Sequence, residues 1–426
     1  MTADPGAGLH AHVAALYPIC RSITGDGLRQ TLRYIGERIP LMIREVPSGS
    51  KVLDWEVPPE WNVRGATLRT LSGRVVLDFA RHNLHLVNYS EPVDRVVTRA
   101  ELQAHLHSLP DQPDLIPYRT AYYARDWGFC LADRDRRALD EDAYHVRIDT
   151  SLQPGSLSYG ECVLPGALTE EVLFSAHACH PSLANDNLSS IAVAIELASL
   201  LARRKRRFSY RFVFAPGTIG AITWLHHNRD AAARIRHGLV LTCLGDAAPP
   251  TYKQSRRGTA AIDRYAAHAL HHRRILPFEP TGYDERQYGS PGFDLPVGCL
   301  MRSPGGTFAQ YHTSADTPDF VTPAALADSL RVLGEIVEMI ERDAVWRNTQ
   351  PHGEPQLGRR GLYGAAGIDR MALLWTLNLS DGAHSLFNIA QRAALPFPAI
   401  VVAADALAAA GLLVRDDAPT AASSGA

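Results

Sequence analysis

Ser175-Ala-His-Ala-Cys-His-Pro-Ser-Leu-Ala-Asn-Asp-Asn-Leu-Ser189 sets two histidines, a cysteine and an aspartate between a short apolar strand and a long apolar helix. The strand reads Glu171-Val-Leu-Phe-Ser175. The helix is expected from about Asn187 to Ala202, with Ile191, Val193, Ala194, Ile195, Leu197, Leu200 and Leu201 on its buried face. A loop in that setting lies at the carboxyl end of a strand, where α/β sheets bind ligands. His177 offers an imidazole and Asp186 a carboxylate, both donors that zinc favours. A polar loop around one hydrogen-bonded core histidine fits the same residues, so this stretch alone leaves metal binding open.

Working outward, strands alternate with helices. Strands are expected at Glu171–Ala176, Tyr210–Ala215, Gly238–Leu244 and Leu295–Met301, and helices near Asn187–Arg203, Ile219–Arg229, Thr259–His272 and Pro323–Arg342. That rhythm predicts an α/β fold with a mainly parallel, helix-covered sheet. Upstream, Val13–Ile43 carries a helical pattern through Leu28, Leu32, Ile35 and Ile39. Residues 55–150 change rhythm to short strand-like pieces such as Ala66–Leu71, Gly73–Phe79 and Asn83–Asn88, and read as an inserted β-rich domain. The α/β domain then comprises residues 9–54 and 151–345. Downstream, Asp369–Thr376, Leu386–Ala393 and Pro396–Ala409 read as helices closed by Gly411-Leu-Leu-Val-Arg, the outline of a winged helix over 355–415. The small polar residues 416–426 are expected to be a disordered tail.

Composition is that of an ordinary globular protein: 46% hydrophobic, 21% charged, net charge -2. Nothing in it calls for nucleic acid or a membrane. The run Arg203–Arg207 is better read as the solvated end of a helix, where cations complement the dipole. No secretory signal opens the chain, no stretch reaches the roughly 20 apolar residues of a membrane span, and six scattered cysteines form no C-x-x-C pair. The expected setting is the cytoplasm.

Other strand ends supply more donors. Gly238–Asp246 ends with Cys243 and Asp246, Tyr311-His312 precedes a helix, and Pro216-Gly-Thr-Ile-Gly220 carries no carboxylate. His177, Asp186, Asp246 and His312 arriving from successive strand ends make a metal centre the stronger reading. This order resembles the zinc aminopeptidase and carboxypeptidase clan with co-catalytic zinc. More closely, the chain resembles a bacterial family of uncharacterised aminopeptidase-like proteins with a C-terminal winged helix. The carrying motifs are Arg21-Ser-Ile-Thr-Gly-Asp-Gly, Asp54-Trp-Glu-Val-Pro-Pro-Glu-Trp-Asn, Asn83-Leu-His, the loop after His177, Asp284-Glu-Arg-Gln-Tyr and Tyr311-His-Thr-Ser. The resemblance implies that His177 and Asp246 hold the first zinc, with Cys243 an alternative to Asp246. It implies that Asp186 bridges two metals and that His312 serves the second.

The chain departs from that pattern. Where the clan carries an aspartate that orients the first histidine, this chain has Cys179, which together with His180 suggests an unusual site. The clan's paired glutamates, a general base and a ligand, fall at Gly217-Thr218. The expectation is therefore one tightly bound zinc, a second weak or absent, and ordinary peptide hydrolysis put in doubt, since losing a general base costs ~10²–10⁴-fold. Asp284 and Glu285 are the candidate substitutes for acid/base work. Arg286 is a candidate to clamp a substrate carboxylate, Arg21 and Arg256 are weaker candidates for anion recognition, and Tyr288 and Tyr311 are candidates to line the pocket. The aromatics Trp61, Tyr118, Tyr122, Tyr123 and Trp127 of the insertion are expected to cover its mouth.

The expected function is a zinc-dependent enzyme acting on an amide or acyl bond of a small amino-acid-derived substrate, in specialised-metabolite or polysaccharide biosynthesis. Two alternatives are acyl transfer, ligation or rearrangement at the same metal, and a degenerate binding or regulatory protein. Leu386–Phe397 carries a single arginine, so the winged helix is expected to serve packing or self-association rather than DNA binding.

Overall fold

Every residue of strand Glu171–His177 is buried, as suits a strand in the middle of a helix-covered sheet. In the computed structural model, which describes residues 5–363 and 367–416, this strand lies fourth in an eight-stranded sheet. The order is 42–47, 156–164, 209–215, 171–177, 235–241, 297–301, 251–253 and 275–276. The four central strands, from 209–215 to 297–301, run parallel. Strands 42–47 and 156–164 are antiparallel on one flank, and 251–253 is antiparallel to 297–301 on the other. The chain leaves 171–177, adds 209–215 on one side and then 235–241 on the other. That reversal opens a crevice at the carboxyl end of 171–177. Helices Ser190–Ala202, Ile219–His227 and Ala261–Ala269 pack on the sheet. Leu200, expected on the buried face of the first, instead faces solvent.

Between residues 60 and 153 a four-stranded antiparallel sheet forms in the order 75–78, 60–70, 143–153, 93–98. Along Glu60–Thr70, Ala66, Leu68 and Thr70 alternate inward. Their hydrophobic cluster is continuous with the large sheet, joining Leu68, Tyr144 and Ile148 to Leu173, Trp224 and Val240. The two sheets therefore share one core.

Clustering of contacts divides the chain into residues 1–334 and 335–426. The second unit has helices Arg370–Leu379, Leu386–Ala393 and Phe397–Ala409, and an antiparallel sheet of strands 381–385, 345–348 and 413–415. Beyond Asp416, the tail expected from the sequence lies outside the described residues. Among the described residues, no helix is long and apolar enough to cross a membrane.

Three further local expectations need correction. The helical pattern at Val13–Ile43 is two helices, Pro5–Leu16 and Asp26–Gly36, followed by strand Met42–Pro47. Pro18 and the positive φ of Gly25 interrupt it, and Asp26 N–H is capped by Asn62 Oδ1 at 2.7 Å. Strand Gly238–Leu244 instead spans Ile235–Leu241, because Cys243 takes a left-handed backbone at φ 48°. Asn83–His85 is a 3-10 turn rather than a strand, with His82 Nδ1 accepting from Leu84 N–H at 3.1 Å.

Charge is buried inside the sheet at Arg211, which contacts Glu161 at 2.7 Å and Glu171 at 2.5 Å. Arg211 is buried, so its removal leaves Glu161 without a cation in the core and Glu171 with Arg234 alone. Arg211→Ala is expected to lower unfolding free energy by about 3–5 kcal/mol in a denaturant melt, whereas Arg64→Ala, at a half-exposed pair with Asp149, should cost at most about 1 kcal/mol.

Candidate metal centre

His177 ends its strand, and the chain turns back through Ala184–Ser189 to bring Asp186 beneath it. His177 Nε2 lies 2.8 Å from Asp186 Oδ1, and His312 Nε2 lies 3.0 Å from Asp186 Oδ2. One carboxylate thus faces two imidazoles. His180 joins them: His177, His180 and Asp186 each offer a donor atom within 4.8 Å of the others.

The neighbours of Asp186 explain the Asn-Asp-Asn sequence. Asn187 donates from Nδ2 to the carbonyls of His177 and Leu241, and its Oδ1 accepts from Cys243 N–H. Asn185 accepts from Gly245 N–H and donates to Asp246. Asp316 accepts from Asn185 N–H at 2.6 Å and from Asp186 N–H at 3.0 Å. These bonds tie the turn to two neighbouring strand ends, so Asp186 cannot swing away. His312 sits at φ 56°. Such a conformation costs about 1–3 kcal/mol and persists where surroundings impose it; here Tyr118 N–H binds the His312 carbonyl at 2.8 Å.

Electrostatics suit a cation. Burial would raise Asp186, but His180, His177 and His312 hold it well below the usual carboxylate range. Burial pushes His180 down to about 3, leaving its imidazole neutral with a lone pair to offer. A buried carboxylate facing two histidines, with a third neutral histidine in reach, is a borderline-metal donor set.

A cavity of about 150 Å³ opens over these residues, lined also by Gly217, Tyr283, Asp284 and Tyr311. Asp284 is buried, and burial pushes its carboxyl up to about 6. A Cβ placed on Gly217 would lie 3.5 Å from Asp284 Oδ2 and 3.3 Å from His177 Cβ. Asp284 therefore occupies the space beside Gly217 where sequence reasoning looked for a missing side chain. Arg286 Nη2 is 3.4 Å from Thr218 Oγ1, whose hydroxyl donates to Asp284.

Several candidates lie elsewhere. Asp246 accepts from Asn185 Nδ2, Ser303 N–H, Ser303 Oγ and Ala248 N–H, so its oxygens are committed to holding the turn and it is outside the cluster. Cys243, the alternative to Asp246 that the sequence left open, meets Tyr283 Oη at 3.5 Å and lies outside the group of His177, His180 and Asp186. Glu285 is fully buried in an ion pair with Lys253, which also donates to the Thr281 carbonyl. It anchors the loop presenting Asp284 and does not line the cavity. Arg286 lies behind Thr218 rather than in the cavity lining. Tyr288 is buried, with Oη 2.9 Å from Ser175 Oγ and its ring against Trp224. Arg21 is buried below His180 and donates to the carbonyls of His180 and Leu16, which makes it a support for the site. Arg256 pairs with Asp294. Tyr311 does line the cavity, stacked 4.0 Å from His312.

Of the insertion's aromatics, Tyr118 lies against His180 and His312 with ring centroids at 5.0 and 5.2 Å, while Trp61 and Trp127 belong to the core. His180 and Tyr283 are the residues that sequence reasoning underrated. The i, i+3 spacing from His177 to His180 was the available signal for the first; nothing marked the second.

A family model described as a domain of unknown function (DUF4910) matches residues 10–343, and one described as a winged helix-turn-helix matches residues 344–415. A Clostridium acetobutylicum protein named "Putative polysaccharide biosynthesis protein with aminopeptidase-like domain" is 45% identical over 416 residues, 95% of this chain and 96% of that protein. The crystal structure of a "putative peptidase" from Clostridium acetobutylicum matches with TM-score 0.92 and 45% identity over 96% of each chain. BSAP, a zinc aminopeptidase from Bacillus subtilis, matches with TM-score 0.59 at 12% identity over 79% of this chain and 94% of its own. A peptidase M28 precursor from Shewanella amazonensis matches with TM-score 0.56 at 12% identity over 79% and 93%. The last two are likenesses of fold.

Asp316 fixes the turn that carries Asp186 without lining the cavity. Asp316→Ala is expected to weaken divalent-metal binding by about 10–100-fold, measured by titration against a competing chelator; affinity within twofold of the parent would refute that role.

Proposed function

The chain belongs to the DUF4910 family, with an aminopeptidase-like domain and a C-terminal winged helix, and on that premise we propose that it is a zinc-dependent hydrolase of small amino-acid-derived amides. The observation that carries the reading is one cavity lined both by the two imidazoles that face the buried Asp186 and by a second carboxyl, Asp284, beside Gly217. His177, His180, Asp186 and His312 would hold one zinc. Bound there, zinc supplies Lewis acidity toward a carbonyl oxygen. A second tightly bound ion is not proposed, since position 218 is threonine and the oxygens of Asp246 are committed to the turn.

Asp284 is the proposed proton carrier. A carboxyl raised to about 6 is largely ionised near neutral pH yet basic enough to take a proton from an attacking water and return it to the leaving amine. Thr218, itself contacted by Arg286, orients it. Burial keeps the Tyr283 phenol protonated, so it can donate to substrate oxygen. The small cavity favours a compact reacting group over a long chain. The name of the Clostridium relative supports a place in polysaccharide biosynthesis, and the cytoplasm is the proposed setting.

The test is metal analysis followed by assay of amino-acid amides. About one zinc per chain is expected, and chelation should abolish turnover. Asp284→Asn should lower kcat by about 10²–10⁴-fold with zinc content unchanged. Gly217→Glu should not accelerate the reaction, because its side chain would meet Asp284. Absence of divalent metal, or full activity in Asp284→Asn, overturns the reading. Retained zinc without hydrolysis of any amide turns it toward acyl transfer, for which the absence of the clan's glutamates at Gly217 and Thr218 also speaks.

A further inference from the structure

The cavity at the histidines, about 150 Å³, holds little more than a reacting amide. Pockets for whole small molecules are commonly 300–1,000 Å³. A second cavity of about 450 Å³ adjoins it, and Tyr311 and His312 line both. One wall of the second comes from residues 109–119 and the other from residues 306–313.

The two walls are bonded to each other. Ser314 N–H donates to the Ile116 carbonyl at 2.9 Å, Ile116 N–H to Ser314 Oγ at 3.0 Å, and Tyr118 N–H to the His312 carbonyl at 2.8 Å. Farther along, Gln112 Nε2 donates to the Ala309 carbonyl at 3.0 Å. The space is thus framed by paired backbone rather than by free loops. Because the bond from Tyr118 ends on His312, the same framing bears on the histidine that faces Asp186.

Its charge is one-sided. No aspartate or glutamate lines it, and Arg119 does. Other arginines of the same segment are neutralised: Arg125 pairs with Glu91 and Arg134 with Asp114, each at 2.8 Å or less. Arg119 has no salt-bridge partner among the described residues. An arginine without an acidic partner in the lining of a cavity that holds no acid favours an anion, which a guanidinium can grip with two parallel N–H donors.

We infer that the second cavity is the subsite for a carboxylate or phosphate on the substrate, recognised by Arg119, so that the amide cleaved belongs to an acidic amino-acid derivative. This rests on the hydrolase reading for the identity of the reacting bond, but not for the anion site. The apolar side chains of Phe308 and Pro117 line the space on the way and would contact the substrate's carbon skeleton.

The test uses the full-length, zinc-loaded protein and uncleavable reduced-amide isosteres of three ligands: alanyl-glutamate α-amide, alanyl-phosphoserine α-amide and the neutral alanyl-glutamine α-amide. Calorimetry is expected to give at least one anionic isostere an affinity about tenfold above the neutral one. Comparison of the two anionic isosteres identifies which anion the site takes. Arg119→Gln should bring all three to parity, and Arg119→Lys should retain most of the preference; binding of the neutral isostere should be the same in each protein. Arg119 is exposed, so neither substitution threatens folding. Equal binding of the three, no binding of either anionic isostere, or a preference that survives Arg119→Gln overturns the inference. A preference that vanishes in Arg119→Gln, in a protein that hydrolyses no amide, upholds the subsite and unseats the hydrolase reading. Hydrolysis of neutral amides without anion preference does the reverse.

Discussion

A carboxylate with no exposed surface has to be matched by partners, and Asp186 is such a group. Its two oxygens each meet an imidazole, and its backbone N–H is taken by Asp316. Satisfying those demands brings three distant parts of the chain together: the end of strand Glu171–His177, the turn before helix Ser190–Ala202, and the segment around His312 and Asp316. Asn185 and Asn187 extend the hold to the strand end at Leu241–Asp246. The large sheet supplies the crevice, and this carboxylate determines what enters it. Around it, the hydrogen bonds hold the turn and the strand ends in place.

The loop carrying Asp284 follows the same logic at one remove. Glu285 and Lys253 neutralise each other in the core, and Lys253 also binds the Thr281 carbonyl. Removing either partner would leave a buried charge unmatched. The pair therefore fixes the loop and turns the neighbouring carboxyl toward Gly217. A Cβ at 217 would press on His177 Cβ at 3.3 Å and touch Asp284 Oδ2 at 3.5 Å. Glycine there and aspartate at 284 are complementary neighbours in the cavity lining.

The small sheet between residues 60 and 153 shares its core with the large one. That sharing makes the segment around Tyr118 a fixed wall beside His180 and His312. Arg21 reaches the same region from the amino-terminal segment, carrying the His180 carbonyl. The two motifs at Arg21 and Asn83 thus act through support: Asn83 donates to Pro18 and Ser182, next to the turn that bears the ligands.

Local pattern determined much of this protein. Mainly apolar runs ending in His177 and at Ala215 announced a parallel sheet, because a strand buried on both faces is built mostly from apolar residues. Helix Pro323–Arg342 was legible to the residue from its periodicity. That His177, Asp186 and His312 converge was legible because each lies at the end of an apolar strand or just before a helix, where an α/β sheet opens its crevice. What escaped the sequence depended on direction and partnership in space. Glu285 and Asp284 are adjacent, yet one faces Lys253 in the core and the other the cavity. Asp246 has the right position in the chain, but Asn185 and Ser303 occupy its oxygens. Arg21 and Tyr288 are of types that bind substrates, and burial turned both into supports. Sequence determined which groups arrive at the strand ends; tertiary structure decided which of them face one another, because a side chain's partner is chosen by the packing around it and not by its place along the chain.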